Sequence, residues 1–503
     1  LKDVADNGIP QEQVEASLHQ LELQQREIGG DGYPYGLQLI LTALTSATHR
    51  GDPIALLNLD PVLEKLRNNI QDPNYIKQLA RNLLLDNPHR VRLTMIPDSE
   101  LSARKDQAEA DRLALIKDDL DDAGKQAVIE KAQVLNERQQ QKDDESILPK
   151  VGLEDIPPVM AYVGATEKQD SPLPLTSYGA GTNGLVYQQI ILPLPALTDQ
   201  RLDLLPIYSN CLTELGVDQQ DYLATQLWQS QICGGIGAYA SARGMPDNEQ
   251  TLSGHLILSA KGLTRNQGAM TELMHQTLEK VRFDELPRIR ELIAQTRARQ
   301  ESSVTGSGHS LAMTAASSGT SPGAKLTHQW SGLEGIRYIK KLDTALTNEV
   351  DLANLSEQLA AIHQLILAAP RQFLLVGEAD KLSSYHQAIQ QHFKPVTNPA
   401  FQAFEQPELH HRVAELWKTS TQVNFCAKSY PTVPMSHPDA APLTVLGGFL
   451  RNGYLHRAIR EQGGAYGGGA GQESNVAAFR FFSYRDPRIE DTLKDFDQSL
   501  IWL

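Results

Sequence analysis

The sequence predicts an α+β fold in which antiparallel sheets are covered by helices. Two observations support this prediction. Segments with alternating apolar residues, typical of two-faced strands, recur between segments with apolar residues at helical spacing. After residue 157 a similar order of strand, helix and strand occurs twice, without a strict sequence repeat. We therefore expect two related antiparallel-sheet-plus-helix domains, preceded by a helical hairpin connector and the end of another α+β domain.

The first predicted region, residues 1–96, contains helices that are closed by a strand. Helical patterns cover residues 10–29, residues 36–48 and the segment from Asp60 onward. Val91, Leu93 and Met95 then alternate with polar residues, which predicts a half-buried strand. We interpret residues 1–96 as the carboxy-terminal part of a second domain.

Residues 97–157 have a different composition, rich in Asp, Glu, Lys, Gln and Ala. Two short apolar stripes on either side of a break predict a long helical hairpin with little core of its own. Such a hairpin is typical of a connector between two larger bodies. A coiled-coil partner site is the competing interpretation, but the stripes are too short for it. They are Leu113, Ile116 and Leu120, then Val128, Ala132 and Leu135.

Residues 158–396 form the predicted third domain, and residues 397–503 the predicted fourth. Strands in the third domain are expected at residues 185–192, 251–260 and 373–376, and helices at 202–215, 222–232, 270–281 and 286–293. Residues 302–323 fit either a loop or a packed helix of small residues. In the fourth domain the expected elements are a strand at 423–427, a helix at 440–459, a glycine hinge at 463–471 and a strand at 476–484.

Length and composition restrict the class of protein. The 503 residues, 41% hydrophobic and 21% charged, suffice for a large soluble core. A net charge of −15 argues against a nucleic-acid surface, and no apolar run approaches the length of a membrane span. The chain begins at Leu1 and ends within an apolar helical pattern, so we expect a piece of a longer polypeptide, truncated at the end of its fourth domain.

Several familiar site motifs can be set aside. Residues 179–184 match the dinucleotide fingerprint letter for letter, but a strand-like run follows them where a helix is required. No zinc-binding H-E-x-x-H or H-x-x-E-H motif occurs, nor a serine nucleophile elbow. Cys211, Cys233 and Cys426 are too widely spaced for a disulfide framework or a paired zinc clip. We therefore expect this chain to bind no metal and to contain no catalytic residue.

Arg460 and Tyr466 flank the glycine-rich segment and are the candidate substrate-binding residues. Arginine is a permanent cation with a planar donor fork, and tyrosine offers a hydroxyl on a rigid ring. The structural alternative is an arginine that caps a helix C-terminus and a tyrosine that packs in a sheet. On the residues alone both interpretations stay open.

The segment from Ala441 to Gly467 resembles the presequence-protease branch of the pitrilysin/insulinase zinc metallopeptidases, an insulinase-family group of hydrolases active in proteolysis. Residues 182–187 and 233–236 are similar to the opening of that branch's third domain, and residues 148–157 to its connector. The resemblance covers nearly the whole chain. The segment that carries Arg460 and Tyr466 is its most specific part.

The resemblance implies the carboxy-terminal half of an oligopeptidase that degrades short unfolded peptides in a closed chamber. The zinc and its ligands would belong to the amino-terminal catalytic half of the same polypeptide, so this chain alone would be inactive. Arg460 and Tyr466 would reach the peptide at the zinc site and help to hold the oxyanion. The implied partners are unstructured peptides, in the cytoplasm of a bacterium or the organelle matrix of a eukaryote, with no nucleic acid and no membrane.

Two alternatives remain. A non-catalytic peptide-binding or assembly subunit would use the same fold. An H-x-x-E-H motif encoded in frame upstream of Leu1 would support the enzyme, and its absence would support this subunit. A nucleotide-binding protein that uses residues 179–184 would be stabilised by nucleotide.

Overall fold

The computed structural model describes residues 1–29, 32–140, 145–160, 162–169 and 173–503. Its contacts divide the chain into two units. One comprises Leu1–Ala5 and Gln78–Val163, and the other comprises Asp6–Lys77 and Gly164–Leu503. The boundaries predicted after residues 96, 157 and 396 stay predictions.

Helices account for the regular structure up to residue 140. They are α1 Lys2–Asn7, α2 Gln11–Arg26, α3 Tyr35–Ala47, α4 Asp60–Asn69, α5 Tyr75–Leu79, a π-helix Ala80–Leu85, α6 Leu101–Asp119 and α7 Asp122–Gln140. The helices predicted near residues 10–29, 36–48 and 60 are confirmed. In the larger unit Leu18 of α2 packs with Leu63 and Ile70 in a small apolar cluster.

In the smaller unit the two predicted hairpin helices are present as α6 and α7. No described side chain of either helix is buried, so their apolar stripes stay largely exposed. The predicted strand at Val91, Leu93 and Met95 is wrong, because these residues are 81–89% exposed and lie outside any strand. Alternation of apolar and polar residues specifies only which face each side chain would occupy. A strand also needs a neighbouring strand to hydrogen-bond its backbone groups, and no described segment pairs with residues 91–95.

The larger unit is built around a mixed six-stranded sheet with the strand order β1-β2-β6-β3-β5-β4. All its pairs are antiparallel except β2 with β6. Its strands are β1 Glu167–Gln169, β2 Leu175–Gly179, β3 Leu185–Pro193, β4 Ile236–Met245, β5 Asn248–Leu263 and β6 Gln372–Gly377. The three predicted strands are confirmed as β3, β5 and β6. The strands β1, β2 and β4 were not predicted, and in β4 the Gly, Ala and Ser residues give no alternating pattern.

Helices cover this sheet and complete its core. They are α8 Asp199–Asp203, α9 Leu205–Glu214, α10 Tyr222–Ile232, α11 Gln267–Lys280, α12 Leu286–Ser317, α13 Pro322–Ser331, α14 Leu333–Ala345, α15 Glu349–Leu367 and α16 Leu382–His392. Most of the segment left open at residues 302–323 is helical. It belongs to α12, which has non-helical backbone angles at Ser307. The mixture of helices and sheets confirms the α+β fold class.

A second, three-stranded antiparallel sheet with the order β7-β9-β8 lies in residues 427–484. Its strands are β7 Ala427–Pro431, β8 Gly467–Glu473 and β9 Ala478–Tyr484, and its helices are α17 Ala440–Leu450, a π-helical segment Arg451–Gln462 and α18 Glu490–Trp502. Ile459, Phe481 and Phe496 are fully buried between these layers. Short 3-10 turns lie at residues 145–147, 153–155, 264–266, 379–381 and 474–476, and the last of them joins β8 to β9.

The predicted glycine hinge is wrong from residue 467 onward, because Gly467, Gly468, Gly469 and Gly471 lie in β8 and pair with β9. Close packing explains part of the glycine content. A β-carbon at Gly468 would stand 2.8 Å from the Ile459 side chain. The predicted strand at 423–427 is displaced, since β7 begins at Ala427.

Residues 179–184 lie between two strands, and no helix begins at them. The strand β2 ends at Gly179 and β3 begins at Leu185, so a strand precedes the segment and the expected strand follows it. Its amides are already paired: Thr182 and Gly184 donate to the Glu378 carboxylate at 3.2 and 3.3 Å. A carboxylate therefore occupies the acceptor position that a phosphate would need.

Candidate functional site

The turn between the π-helical segment and β8 sets the backbone of the candidate site. Gly464 and Ala465 donate their amides to the carbonyl oxygens of Arg460 and Ile459, both at 3.1 Å, which closes the helix end. Gly464 has φ +79°, a left-handed conformation that favours glycine. The helix therefore ends within a few residues of the point where β8 begins.

Arg488 ties this turn to its surroundings. Its guanidinium donates to the Ala458 carbonyl oxygen at 3.4 Å and pairs with Asp495 of α18 at 2.9 Å. A β-carbon at Gly463 would overlap that guanidinium and would stand 2.6 Å from the Ile459 carbonyl oxygen, so the close packing favours glycine there. The helix end, the segment after β9 and α18 thus form one connected structure.

Tyr466 lies directly before the first residue of β8. Its amide donates to the Tyr484 carbonyl oxygen at 3.0 Å, while the residue as a whole is 64% exposed. The Arg460 guanidinium carbon lies 5.6 Å from the centroid of that ring, a cation–π distance, and Arg460 is also exposed. The structure therefore brings the two predicted residues together at the surface of the larger unit.

Aromatic side chains that the sequence analysis did not identify support this pair. The Tyr484 ring stands edge-on to the Tyr466 ring, with centroids 5.7 Å apart. Tyr484 in turn contacts Phe425 and the imidazole of His309, at 5.8 and 4.8 Å. Burial lowers the pKa of His309, which keeps its imidazole neutral at pH 7. His309 has no local sequence signal, since it lies in the small-residue stretch of α12.

No group of three or more His, Cys, Asp or Glu side chains in the described residues lies close enough to hold a metal ion. The residues present therefore do not fit a zinc site. All three cysteines are free and buried, and burial raises the pKa of Cys211 to about 12 and of Cys233 to about 11. Within the described chain no helix is long and apolar enough to cross a bilayer.

The geometry of the pair suits hydrogen-bond donation to one acceptor and does not suit nucleophilic attack. A guanidinium and a phenol side by side offer several N–H donors and one O–H donor to the same acceptor. A peptide carbonyl or a carboxylate oxygen matches such a set. Neither group is an activated nucleophile, and in the described structure neither side chain has an acid–base partner.

Two family models match the chain. One describes a region associated with peptidases of family M16, subgroup C, and it matches residues 95–342. The other is described as "PreP C-terminal domain" and matches residues 414–503. The second match contains Arg460 and Tyr466.

Curated relatives are similar over the whole chain. The mitochondrial presequence protease of Danio rerio is 27% identical over 532 residues, which cover 100% of this chain and 51% of the relative. The chloroplastic/mitochondrial presequence protease 1 of Arabidopsis thaliana is 24% identical and covers 99% of this chain and 46% of the relative. The chain thus spans about half the length of the curated relatives it matches.

Two solved structures are also similar. A conserved protein from Enterococcus faecalis V583 superposes with a TM-score of 0.48 at 12% identity, over 66% of this chain and 77% of that one. The peptidase M16 inactive domain from Pseudomonas fluorescens gives a TM-score of 0.46 at 18% identity, over 68% and 79%. The two family models and the similarity of the whole chain to about half of each curated relative identify the family. The chain belongs to the presequence-protease branch of the M16, or pitrilysin/insulinase, peptidases.

Proposed function

We propose that the chain supplies the substrate-binding groups of a zinc-dependent oligopeptidase whose zinc ligands lie in the amino-terminal half of the same polypeptide. The observation that carries this proposal is the exposed pair of Arg460 and Tyr466, with the guanidinium over the phenol ring at 5.6 Å. Both side chains stand on a turn that backbone hydrogen bonds hold in place.

The two side chains bind one peptide carbonyl oxygen. The guanidinium donates one or two N–H bonds and the phenol donates its O–H. As the carbonyl carbon becomes tetrahedral, negative charge grows on that oxygen, and donors already aimed at it stabilise the charge more than they stabilise the ground state. Arg460 and Tyr466 therefore act on turnover as well as on binding.

Short unstructured peptides are the proposed substrates. The pair recognises backbone oxygen, which an extended peptide exposes and a folded protein keeps in its own hydrogen bonds. A closed chamber formed with the amino-terminal half would add selection by size. Several curated relatives are named as mitochondrial proteins, which favours an organelle matrix for a eukaryotic source, whereas a bacterial source favours the cytoplasm.

Replacement of Tyr466 by Phe in the intact polypeptide tests the proposal. The Tyr466→Phe variant keeps the ring over which Arg460 lies and removes only the O–H donor. Loss of one oxyanion donor typically lowers kcat by roughly a hundredfold. Peptide turnover and bound zinc are measured together, and we expect turnover to fall while zinc content stays unchanged.

Tyr222 provides a matched control, because Arg288 lies over its ring at 4.5 Å in a second cation–π pair. The Tyr222→Phe variant should retain full turnover. Unchanged kcat in Tyr466→Phe, or an equal loss in Tyr222→Phe, would show that the phenol at position 466 has no role in the reaction.

A further inference from the structure

A cavity of about 340 Å³, lined by both polar and apolar residues, lies between the edge strand β4 and the turn that joins β8 to β9. The helices α12 and α13 complete its walls. Its lining includes Ser241, Arg243, Thr314, Trp330, Glu473 and Arg480. All of these residues belong to the larger unit, and none of them is part of the Arg460–Tyr466 pair.

The cavity has an excess of positive charge. Arg480 donates to one oxygen of Glu473 at 2.6 Å, and Asn475 donates to the other at 3.1 Å, so both carboxylate oxygens are engaged. Arg243 is exposed, and the described structure gives its guanidinium no hydrogen-bond or ion-pair partner. One cation in the cavity therefore stays without a counter-charge, and a carboxylate would supply it.

The strand β9 connects this cavity to the candidate site. Tyr484, Phe482 and Arg480 alternate along β9 and therefore point to the same side of the sheet. Tyr484 contacts Tyr466, and Arg480 lines the cavity. Four residues of strand separate the two, which is about 13 Å.

The neighbouring strand β8 is open at both ends of this path, whereas the Phe482 ring and the Arg451 side chain lie against Gly469 between them. Opposite Tyr484 and Arg480 stand Gly467 and Gly471. No atom lies within 4 Å of the position that a β-carbon would take at either glycine. Internal packing therefore does not account for these two glycines, and an extended peptide can contact β8 at both positions while it passes over the Phe482 ring between them.

We infer that the cavity is a subsite for a carboxylate of a peptide held at Arg460 and Tyr466. The inference rests on the proposed function, since it takes the bound ligand to be a peptide. The carboxylate comes either from the C-terminus of the peptide or from an acidic side chain, about four residues from the carbonyl that the pair binds. Arg243 is the residue that determines this preference.

Binding of labelled peptides to the chain of residues 1–503 tests the inference by fluorescence anisotropy. Three peptides of about eight residues, enough to span the path, share one neutral sequence. One has a free C-terminal carboxylate, one has a C-terminal amide, and one has the amide with a glutamate in its second half. We expect at least one carboxylate peptide to bind about tenfold more tightly than the neutral amide, and which one does so identifies the source.

The Arg243→Gln variant should lose this preference while its affinity for the neutral amide stays unchanged. Arg290→Gln serves as the matched control, since Arg290 is an exposed arginine in the first half of α12 and does not line the cavity. Equal binding of all three peptides to the unmodified chain, or a preference that survives Arg243→Gln, would overturn the inference. The test of equal binding uses only the unmodified chain, so it does not depend on whether a variant folds.

This experiment is independent of the turnover test. Peptide binding to residues 1–503 requires neither zinc nor hydrolysis, and the Tyr466→Phe assay does not involve Arg243. A failure of the carboxylate subsite therefore leaves the turnover result unaffected, and a failure of the turnover test leaves the peptide preference to be measured.

Discussion

Arg460 and Tyr466 are positioned by main-chain contacts and by each other. The Arg460 carbonyl oxygen accepts the Gly464 amide, and the Tyr466 amide donates to Tyr484. The side chains themselves are exposed and contribute little buried surface. Substitution of either residue should therefore weaken peptide binding and lower turnover, with little effect on the free energy of unfolding.

The sequence identified the residue types of this site but not its surroundings. Arg460 and Tyr466 stand out because they are the two side chains beside the glycine-rich segment that can bind a substrate. Tyr484 was expected in a strand, and only the pairing of β8 with β9 places it against Tyr466. His309 reaches the site from a distant part of the chain, in α12, and no local pattern can encode such a contact.

Gly308 offers a prediction at the residue scale. A β-carbon at this buried helical position would overlap the Phe425 ring beside Tyr484. The Gly308→Ala variant should lower the free energy of unfolding by about 1–3 kcal/mol, because overpacking displaces the ring. Urea unfolding followed by circular dichroism measures the change.

The nearby Gly306 is the control for that prediction. It lies in the same helix, and no atom stands within 4 Å of the position of its β-carbon. Gly306→Ala should leave stability unchanged or raise it by up to about 1 kcal/mol, the helix preference of alanine over glycine. Equal losses in both variants would point to the helix backbone and away from the Phe425 contact.

At the scale of elements, a buried carboxylate attaches α2 to the body of the larger unit. The Glu22 side chain is 3% exposed and pairs with Arg265 at 2.6 Å and Arg67 at 2.7 Å, with Arg26 also in contact. Hydrogen bonding from Arg265 is the main cause that lowers the pKa of Glu22 to about 2, against the opposing effect of burial. The Glu22 carboxylate therefore links α2 to α4 through Arg67 and to the segment after β5 through Arg265.

The Glu22→Gln variant should lower the free energy of unfolding by about 3 kcal/mol at pH 7. A carboxyl group whose pKa is depressed on folding contributes stability above its usual pKa near 4.5, and this contribution disappears as the pH falls toward 2. The difference between the variant and the unmodified chain should thus be constant above about pH 5 and shrink below about pH 4.5. Urea titrations at several pH values measure it.

The exposed Glu64 on α4 provides the comparison for Glu22. Its replacement by Gln should change stability by no more than about 0.5 kcal/mol, as at an ordinary surface position. If Glu22→Gln proves equally mild, or if its effect does not depend on pH, the Glu22 carboxylate does not hold α2 in place.

Elements were predicted well where hydrophobic periodicity was strong. Apolar residues alternate with polar ones along β5, whereas β3 and β6 contain short apolar runs, and in all three strands buried residues alternate with less buried ones. The strands β4 and β8 were missed, since Gly and Ala residues give no alternation and only pairing with β5 and β9 defines them. Residues 91–95 show the opposite case, in which alternation without a paired neighbour yields no strand.

At the scale of the whole molecule, the chain spans about half the length of its curated relatives. The described residues contain no cluster of metal ligands. A chain of residues 1–503 incubated with zinc should therefore bind unstructured peptides without hydrolysing them. Peptide cleavage followed by mass spectrometry measures this.

Addition of a separately produced amino-terminal half should restore cleavage, and complementation with the Tyr466→Phe chain should restore far less. Hydrolysis by residues 1–503 alone would show that the chain contains a complete catalytic apparatus. That result would contradict the split arrangement that we propose.

The pre-assembled turn at Arg460 and Tyr466 has a kinetic consequence. A site whose donors are already ordered loses little conformational entropy when a ligand arrives, so less of the interaction energy is consumed on binding. Association of a peptide with this surface should then be limited by diffusion and orientation. Because backbone hydrogen bonds hold the helix end and β8 in place, we expect peptides to associate with the proposed site rapidly, even where each complex is weak and short-lived.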